Sequence, residues 1–254
     1  MTRPHLLRPL AILFITLLLL AALSPQVLGV DTDRVRALAG EFDTLNTRIR
    51  DNQVGKAEAR ERFTELVQAL SREYRAAGAA EYPAESWCFP LKGYDYRAIG
   101  GRGNGYQLGG YDYFAGNRHS GHPSHDIFIR DKRQTGLDDR TGKSVQVLSM
   151  TGGVVVAAEK QWQPGSRLRG GKYLWILDPA TQSLVYYAHN ADLHVKVGDL
   201  VRPGDVIAEV GRTGLNAYRK RSPTHLHLTL LSVAGGLPVA RNPYRILLKT
   251  KLTE

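Results

Sequence analysis

The stretch Thr224-His225-Leu226-His227-Leu228-Thr229-Leu230 alternates polar and apolar side chains with a period of two. A strand sends successive side chains to opposite faces, so His225, His227 and Thr229 share one face while Leu226, Leu228 and Leu230 line the other. Two imidazoles therefore open into one space, about 7 Å apart at Cα by strand rise, on a strand whose back is apolar enough to be buried. That arrangement suits metal binding or acid–base work. It suits equally a half-exposed strand that merely carries two histidines, and the alternation does not say which of the two would bind a metal.

Short runs of the same kind extend upstream: Asp126 to Arg130, Val145 to Leu148, Val154 to Val156, Tyr173 to Leu177, Leu184 to Ala188 and Val206 to Ala208. Strands of this length with frequent turn signals predict a mainly β domain, a compact antiparallel sheet or barrel-like sandwich, over residues 87–248. Residues 93–116 are too rich in glycine and tyrosine for a packed helix. Ahead of this region the period changes. Val35, Leu38, Phe42, Leu45 and Ile49 form one helical stripe, and Phe63, Val67, Leu70 and Tyr74 another, with Asn52, Gln53 and Gly55 between them. The spacing predicts an α-helical hairpin over 31–80, opened by Asp31 or Thr32 as a cap, and a linker over 81–86 around Tyr82-Pro83. The hairpin would dock on the β domain or self-associate with another chain.

Composition bounds the function. The chain has 254 residues, 43% of them hydrophobic, with 34 Lys+Arg against 24 Asp+Glu and one cysteine. Intrinsic disorder and a disulfide framework are excluded, and Cys88, between Trp87 and Phe89, reads as a small buried apolar residue. The net charge of +10 favours an anionic partner. Arg3 and Arg8 precede an unbroken run from Leu10 to Leu23, 14 residues with Thr16 as its only polar member. As a helix this run spans about 21 Å, short of the roughly 30 Å hydrocarbon core. Pro25 and the small residues near Gly29 then read as a signal peptide over 1–29, the alternative being an uncleaved inner-membrane anchor over 9–24. Export to a periplasm or beyond, with a net charge of +8 once Arg3 and Arg8 are removed, leaves no nucleic acid as partner and points to an anionic envelope surface.

Seven of the eight histidines fall between positions 119 and 227. His122-Pro123-Ser124-His125-Asp126 stands ahead of Ile127-Phe128-Ile129, and Pro123 opposes a helix there. A loop histidine folding back from 122 meets the Asp126 carboxylate, expected at the first position of its strand, and imidazole nitrogen and carboxylate oxygen are ordinary zinc ligands. His189, after the run Leu184 to Ala188, adds a third element. Gly136 to Ser144 lacks the spacing and the following helix of a phosphate loop, and Gly101-x-Gly103-x-Gly105 lacks the context of a dinucleotide loop. No His-Glu-x-x-His helix is present, which excludes a zincin-type peptidase.

Taken together, Arg118 to Ile127, Tyr186-Tyr187-Ala188-His189, Val195 to Gly214 and His225-Leu226-His227 resemble the lysostaphin-type (LytM-like) zinc peptidases that cut peptidoglycan cross-bridges. The resemblance covers most of residues 85–248 and implies the duplicated hybrid motif fold. It also implies one zinc ion held by His122, Asp126 and His227, with His189 and His225 as the two unliganded catalytic histidines. Asn190, where the family has an apolar residue, and Thr224, where it often has proline, depart from the pattern without removing a ligand. The implied protein is an exported zinc metalloendopeptidase that hydrolyses amide bonds in peptidoglycan cross-links. One rival is a non-catalytic LytM-like wall-binding or amidase-activating regulator, which would be expected to lack a ligand. The other is a carrier domain of lipoyl type, which Val195 to Gly211 also resembles but which would carry a lysine at a hairpin tip. His119, His125 and His194 read as surface or supporting groups.

Overall fold

The structure, a computed structural model, describes residues 32–253; the signal or anchor expected over 1–29 lies outside them. Among these residues no helix is long and apolar enough to cross a membrane. Helix α1 spans Asp33–Arg50 and α2 spans Lys56–Ala76. Both apolar stripes are buried, from Val35 to Ile49 on α1 and from Phe63 to Tyr74 on α2. Thr32 occupies the N-cap position of α1 but makes no side-chain cap bond. Asp33 in the first turn and Arg48 and Arg50 in the last match the helix dipole instead.

The remainder is mainly β, as expected. Its strands are β1 (Ser124–Phe128), β2 (Gln146–Leu148), β3 (Gly153–Glu159), β4 (Lys172–Asp178), β5 (Ser183–Leu193), β6 (Leu200–Val201), β7 (Val206–Val210), β8 (His225–Ser232) and β9 (Val239–Arg241). They pair antiparallel in the order β1-β8-β5-β4-β3-β6, with β9 on β8 and with β7 bridging β2 and β5. The long β5 belongs to two neighbourhoods: residues 183–188 lie between β4 and β8, and residues 190–193 pair with β7. Cys88 is buried, its thiol pushed up to about 11 by loss of solvent, and Sγ donates to the Ser149 carbonyl at 3.2 Å. That is the inert role its apolar neighbours suggested. The backbone around it pairs with the chain's other end, Phe89 N donating to Lys251 O at 2.8 Å and Gly93 N to Thr253 O at 3.0 Å.

Both faces of the sheet are covered. One face packs Leu226, Leu228 and Leu230 of β8 with Ile127, Leu174, Ile176, Val185, Tyr187 and residues of β7. The other face buries Val154, Val156, Trp175, Leu177, Leu184 and Leu231 against the apolar stripes of α1 and α2. The hairpin is thus half of a core, docked on the sheet face that also carries the histidines. Asn46 and Arg50 of α1 tie it there. The buried Asn46 donates from Nδ2 to the Tyr173 hydroxyl (3.1 Å) and accepts at Oδ1 from Tyr113 (3.0 Å), while Arg50 pairs with Glu159 at 2.7 Å.

Candidate functional site

The period of β8 places its histidines as expected: Leu226 and Leu228 are fully buried in the core behind, and His225 and His227 face the hairpin side. Asp126 lies on β1 opposite His227 in the ladder, and Ala188 of β5 lies on the other side of His227. Strand β1 begins at Ser124, two residues earlier than the sequence suggested, because Ser124 pairs with Thr229 and their hydroxyls bond at 2.7 Å. Asp126 is therefore the third residue of its strand, and its side chain shares a face with Ser124 and Phe128. His122 stands just before β1 and is held by paired backbone bonds with Gln107, at 2.6 and 2.8 Å.

His189 reaches the same space by a different route. Alternation along β5 would send it to the opposite face from Tyr186 and Ala188. Its φ of 67° breaks that alternation at a bulge against β4 and β7. The ring instead lies 4.9 Å from that of His225 and 5.3 Å from that of His227. Asn190, the next residue, secures the bulge: it is fully buried and its amide donates to the carbonyls of Lys172 (3.1 Å) and Tyr187 (3.0 Å).

Three of the four rings are oriented alike. The Nδ1 atoms of His122, His189 and His225 lie 3.0, 2.8 and 2.7 Å from the carbonyl oxygens of Gly105, Thr213 and Pro223. A carbonyl only accepts, so each Nδ1 carries a proton and each Nε2 is turned to the pocket. His122 Nε2 lies 3.3 Å from Asp126 Oδ1, His227 Nδ1 lies 3.0 Å from it, and His225 Nε2 is further off at 3.6 Å. One ligand atom from each of His122, Asp126 and His227 falls within 4.8 Å of the others. Donors about 2.0–2.2 Å from one tetrahedral zinc stand about 3.4 Å apart, so the two short separations fit. Two imidazoles and a carboxylate are also the borderline donor set that zinc prefers, and the residues present fit that metal.

The electrostatics agree. Burial acts to raise the Asp126 carboxyl, but hydrogen bonds from His122 and His227 and the nearby His225 outweigh it and hold it well below the carboxylate range. The bond to Asp126 raises His122. Burial lowers His227, and lowers His189 further, the neighbouring histidines adding to the effect.

These groups open into a pocket of about 270 Å³. Tyr111, Tyr113, Tyr173, Trp175 and Tyr186 line it, and Asn46, Ile49 and Arg50 of α1 contribute to its wall. The expected docking of the hairpin on the β domain is what brings this wall to the pocket, though the helical pattern did not say which residues would form it. His119, read as a surface or supporting group, also lines the pocket, as does Arg169, which no sequence pattern singled out. Histidine spacing could have flagged His119, whereas Arg169 sits in a glycine-containing loop with no periodic signal. His125, grouped with surface or supporting residues, is 1% exposed on the opposite face, where its Nε2 bonds Asn242 at 2.8 Å. His194 is outside the pocket, near Glu209 at 3.7 Å.

Residues 132–239 match the model of peptidase family M23; His122 and Asp126 precede the matched segment. Among solved structures, a zinc-containing peptidase from Vibrio cholerae is 23% identical with a TM-score of 0.41, the alignment covering 66% of this chain and 40% of that one. This chain therefore spans less than half the length of the Vibrio protein. The catalytic domain of the antimicrobial peptidase lysostaphin from Staphylococcus simulans is 24% identical, with 56% and 90% covered and a TM-score of 0.37. A putative glycyl-glycine endopeptidase from Ruminococcus gnavus is 19% identical, with 89% and 94% covered and a TM-score of 0.43. Over residues 132–239, less than half of the chain, the protein is therefore similar to peptidase family M23.

Proposed function

We propose that the protein is an exported zinc metalloendopeptidase that hydrolyses amide bonds in peptidoglycan peptide cross-links. The observation that carries this reading is the convergence of His122, Asp126 and His227 donors beside two further imidazoles whose Nε2 atoms face one pocket. His122, Asp126 and His227 would hold the metal. Zinc bound there supplies Lewis-acid activation of water and of the scissile carbonyl.

The chain's own residues supply the rest. His189, kept neutral by burial, has an Nε2 lone pair that can take a proton from the attacking water. His225, its Nδ1 fixed by the Pro223 carbonyl, presents Nε2 to the same space, where it can carry a proton to the departing amine. Neither ring has to turn to do so, because each is pinned by a backbone acceptor 2.7–2.8 Å away. Export is the part of the proposal that rests on Arg3, Arg8 and the apolar run from Leu10 to Leu23. The net positive charge would keep the exported protein near an anionic wall or membrane face.

The test is to incubate purified protein, zinc-loaded or chelated, with cross-linked peptidoglycan and to identify new peptide ends. Zinc-dependent release of new amines is expected, with loss in His122→Ala and His227→Ala. Zinc-loaded protein that releases none from several wall types would leave the non-catalytic regulator as the better reading. Wild-type cleavage in either alanine variant would overturn the ligand assignment.

A further inference from the structure

Of the charged groups lining the pocket, Arg169 is the cation with no carboxylate partner among the described residues. Arg50 is paired with Asp51 and Glu159, and Asp126 with the histidines. Arg169 is firmly placed. Its backbone N donates to Asn117 Oδ1 (3.2 Å), Asn117 Nδ2 donates to the Arg167 carbonyl (3.0 Å), and Arg169 Nη1 donates to the His119 carbonyl (2.6 Å). A guanidinium has five N–H donors in a planar fork, and the protein uses one. The charge reaches the pocket wall: burial lowers His119 first and Arg169 adds to it.

The surroundings reinforce a demand for negative charge. Residues 160–172 and 212–224, two segments that line the pocket, together carry eight lysines and arginines and no aspartate or glutamate. On Arg169's side, moreover, the pocket has a wall. The turn holding Asn117 lies against the end of α1, so closely that a Cβ at Gly116 would collide with the Ile49 carbonyl and stand 2.9 Å from that of Arg50. Such a wall suits a group that ends in a charge over a peptide that runs on.

Resting on the peptidase reading of this pocket, we propose that Arg169 is the anchor for a carboxylate borne by the same carbon as the scissile nitrogen. Peptide chemistry fixes which side this is. An acyl residue with a single carboxyl, such as D-alanine or glycine, has already spent it on the scissile bond, so at those bonds the free carboxylate belongs to the residue that leaves as the amine. The bond selected is therefore one to a terminal D-alanine, or to the amine-bearing centre of diaminopimelate, both of which carry that carboxylate. The ε-amine of lysine and the interior of a glycine bridge do not, and are disfavoured.

The test has a binding arm and a cleavage arm. N-acetyl-D-alanyl-D-alanine and its C-terminal amide are titrated by NMR into chelated wild-type, Arg169→Gln and Arg169→Lys protein, so that no metal can hold the carboxylate. The acid is expected to bind about tenfold or more tighter than the amide, with the preference lost in Arg169→Gln and partly kept in Arg169→Lys. Equal binding by wild type, no binding of either, or a preference that survives Arg169→Gln overturns the proposal. In the cleavage arm, zinc-loaded protein receives a diaminopimelate cross-linked dimer, with the carboxylate beside the bridging nitrogen either free or amidated. The free form should be cut at least tenfold faster, and Arg169→Gln should close the gap. Equal cutting of both refutes the anchor while leaving the peptidase standing. No cutting of either, beside an Arg169-dependent binding preference, refutes the peptidase and leaves the anchor.

Discussion

Gly214 offers a way to disable one imidazole without touching the candidate metal ligands. Its φ is 114°, and a Cβ built on it would lie 2.8 Å from His189 Nδ1 and 3.1 Å from Cε1, with the Arg169 carbonyl closer still. Comfortable heavy-atom contacts begin near 3.5 Å, so in Gly214→Ala the ring must retreat by about 0.7 Å or tilt away from the Thr213 carbonyl that now fixes it at 2.8 Å. A misplacement of about 1 Å in a reacting group lowers rates on the order of 10²-fold, equivalent to about 2.7 kcal/mol of barrier. The same substitution adds backbone strain of about 1–3 kcal/mol. A control separates the two effects. Gly165 also has a positive φ, 94°, but nothing lies within 4 Å of its Cβ position, so Gly165→Ala carries strain without crowding. Three quantities are measured on each variant: turnover of cross-linked substrate, zinc affinity by competition with a chelator, and the denaturation midpoint. Gly214→Ala should lose about a hundredfold in turnover and keep its zinc affinity, while Gly165→Ala loses stability alone. Turnover within threefold of wild type, or a loss of zinc in step with activity, would refute the role given to His189.

Three further outcomes follow from the packing and the charges. Phe63 is fully buried with its ring 5.3–5.7 Å from those of Phe42, Tyr113 and Phe114, so Phe63→Ala should destabilise the protein by about 3–5 kcal/mol; a loss below 1 kcal/mol in denaturant melts would show that the hairpin core is not integral. Because His122 is raised by its bond to Asp126, it retains a proton to higher pH than an ordinary imidazole. Zinc must displace that proton, so affinity should begin to fall above pH 6.5 as the solution is acidified; a decline confined to pH below 6 contradicts this. The buried Asp138 carboxyl, raised by burial but lowered more by Arg140 and Tyr94, sits at about 2 against an unfolded value of 3.8. A depressed carboxyl stabilises the fold above its unfolded pKa and loses that contribution as pH falls through the folded one, here about 2 kcal/mol between pH 4 and 2. Asp138→Asn should remove that pH dependence, and urea midpoints at pH 5 and 2.5 measure it.

Much of this was legible because it is periodic. Strand β8 announces its two faces, and the hairpin stripes at 35–49 and 63–74 announce two helices, since burial on one side of a regular element imposes its repeat on the sequence. What escaped is what breaks a repeat or depends on distant packing. His189 reaches the pocket through a left-handed backbone at a bulge, so reading it as one more residue of an alternating strand would have placed it on the wrong face. Strands β6 and β9 have two and three residues, too few for a pattern. The docking of α1 by Asn46 and Arg50 is carried by single polar residues on otherwise ordinary helix surface, each meaningful only once Tyr113, Tyr173 and Glu159 are opposite them.

That docking changes what the hairpin can do. Its position before the β domain invites the idea of a cover whose removal would free the site. Yet α1 and α2 share one core with Trp175, Leu184 and Leu231 of the sheet, and the residues at the end of α1 that line the pocket also bind the sheet. Arg50 bonds Glu159 at the end of β3, and Asn46 bonds Tyr173 on β4 and Tyr113 in the preceding turn. Undocking the hairpin would expose that aromatic core and unpair a buried amide, both strongly unfavourable. A lid must open at small free-energy cost, and this element cannot. The hairpin is therefore a fixed wall of the pocket that holds the histidines.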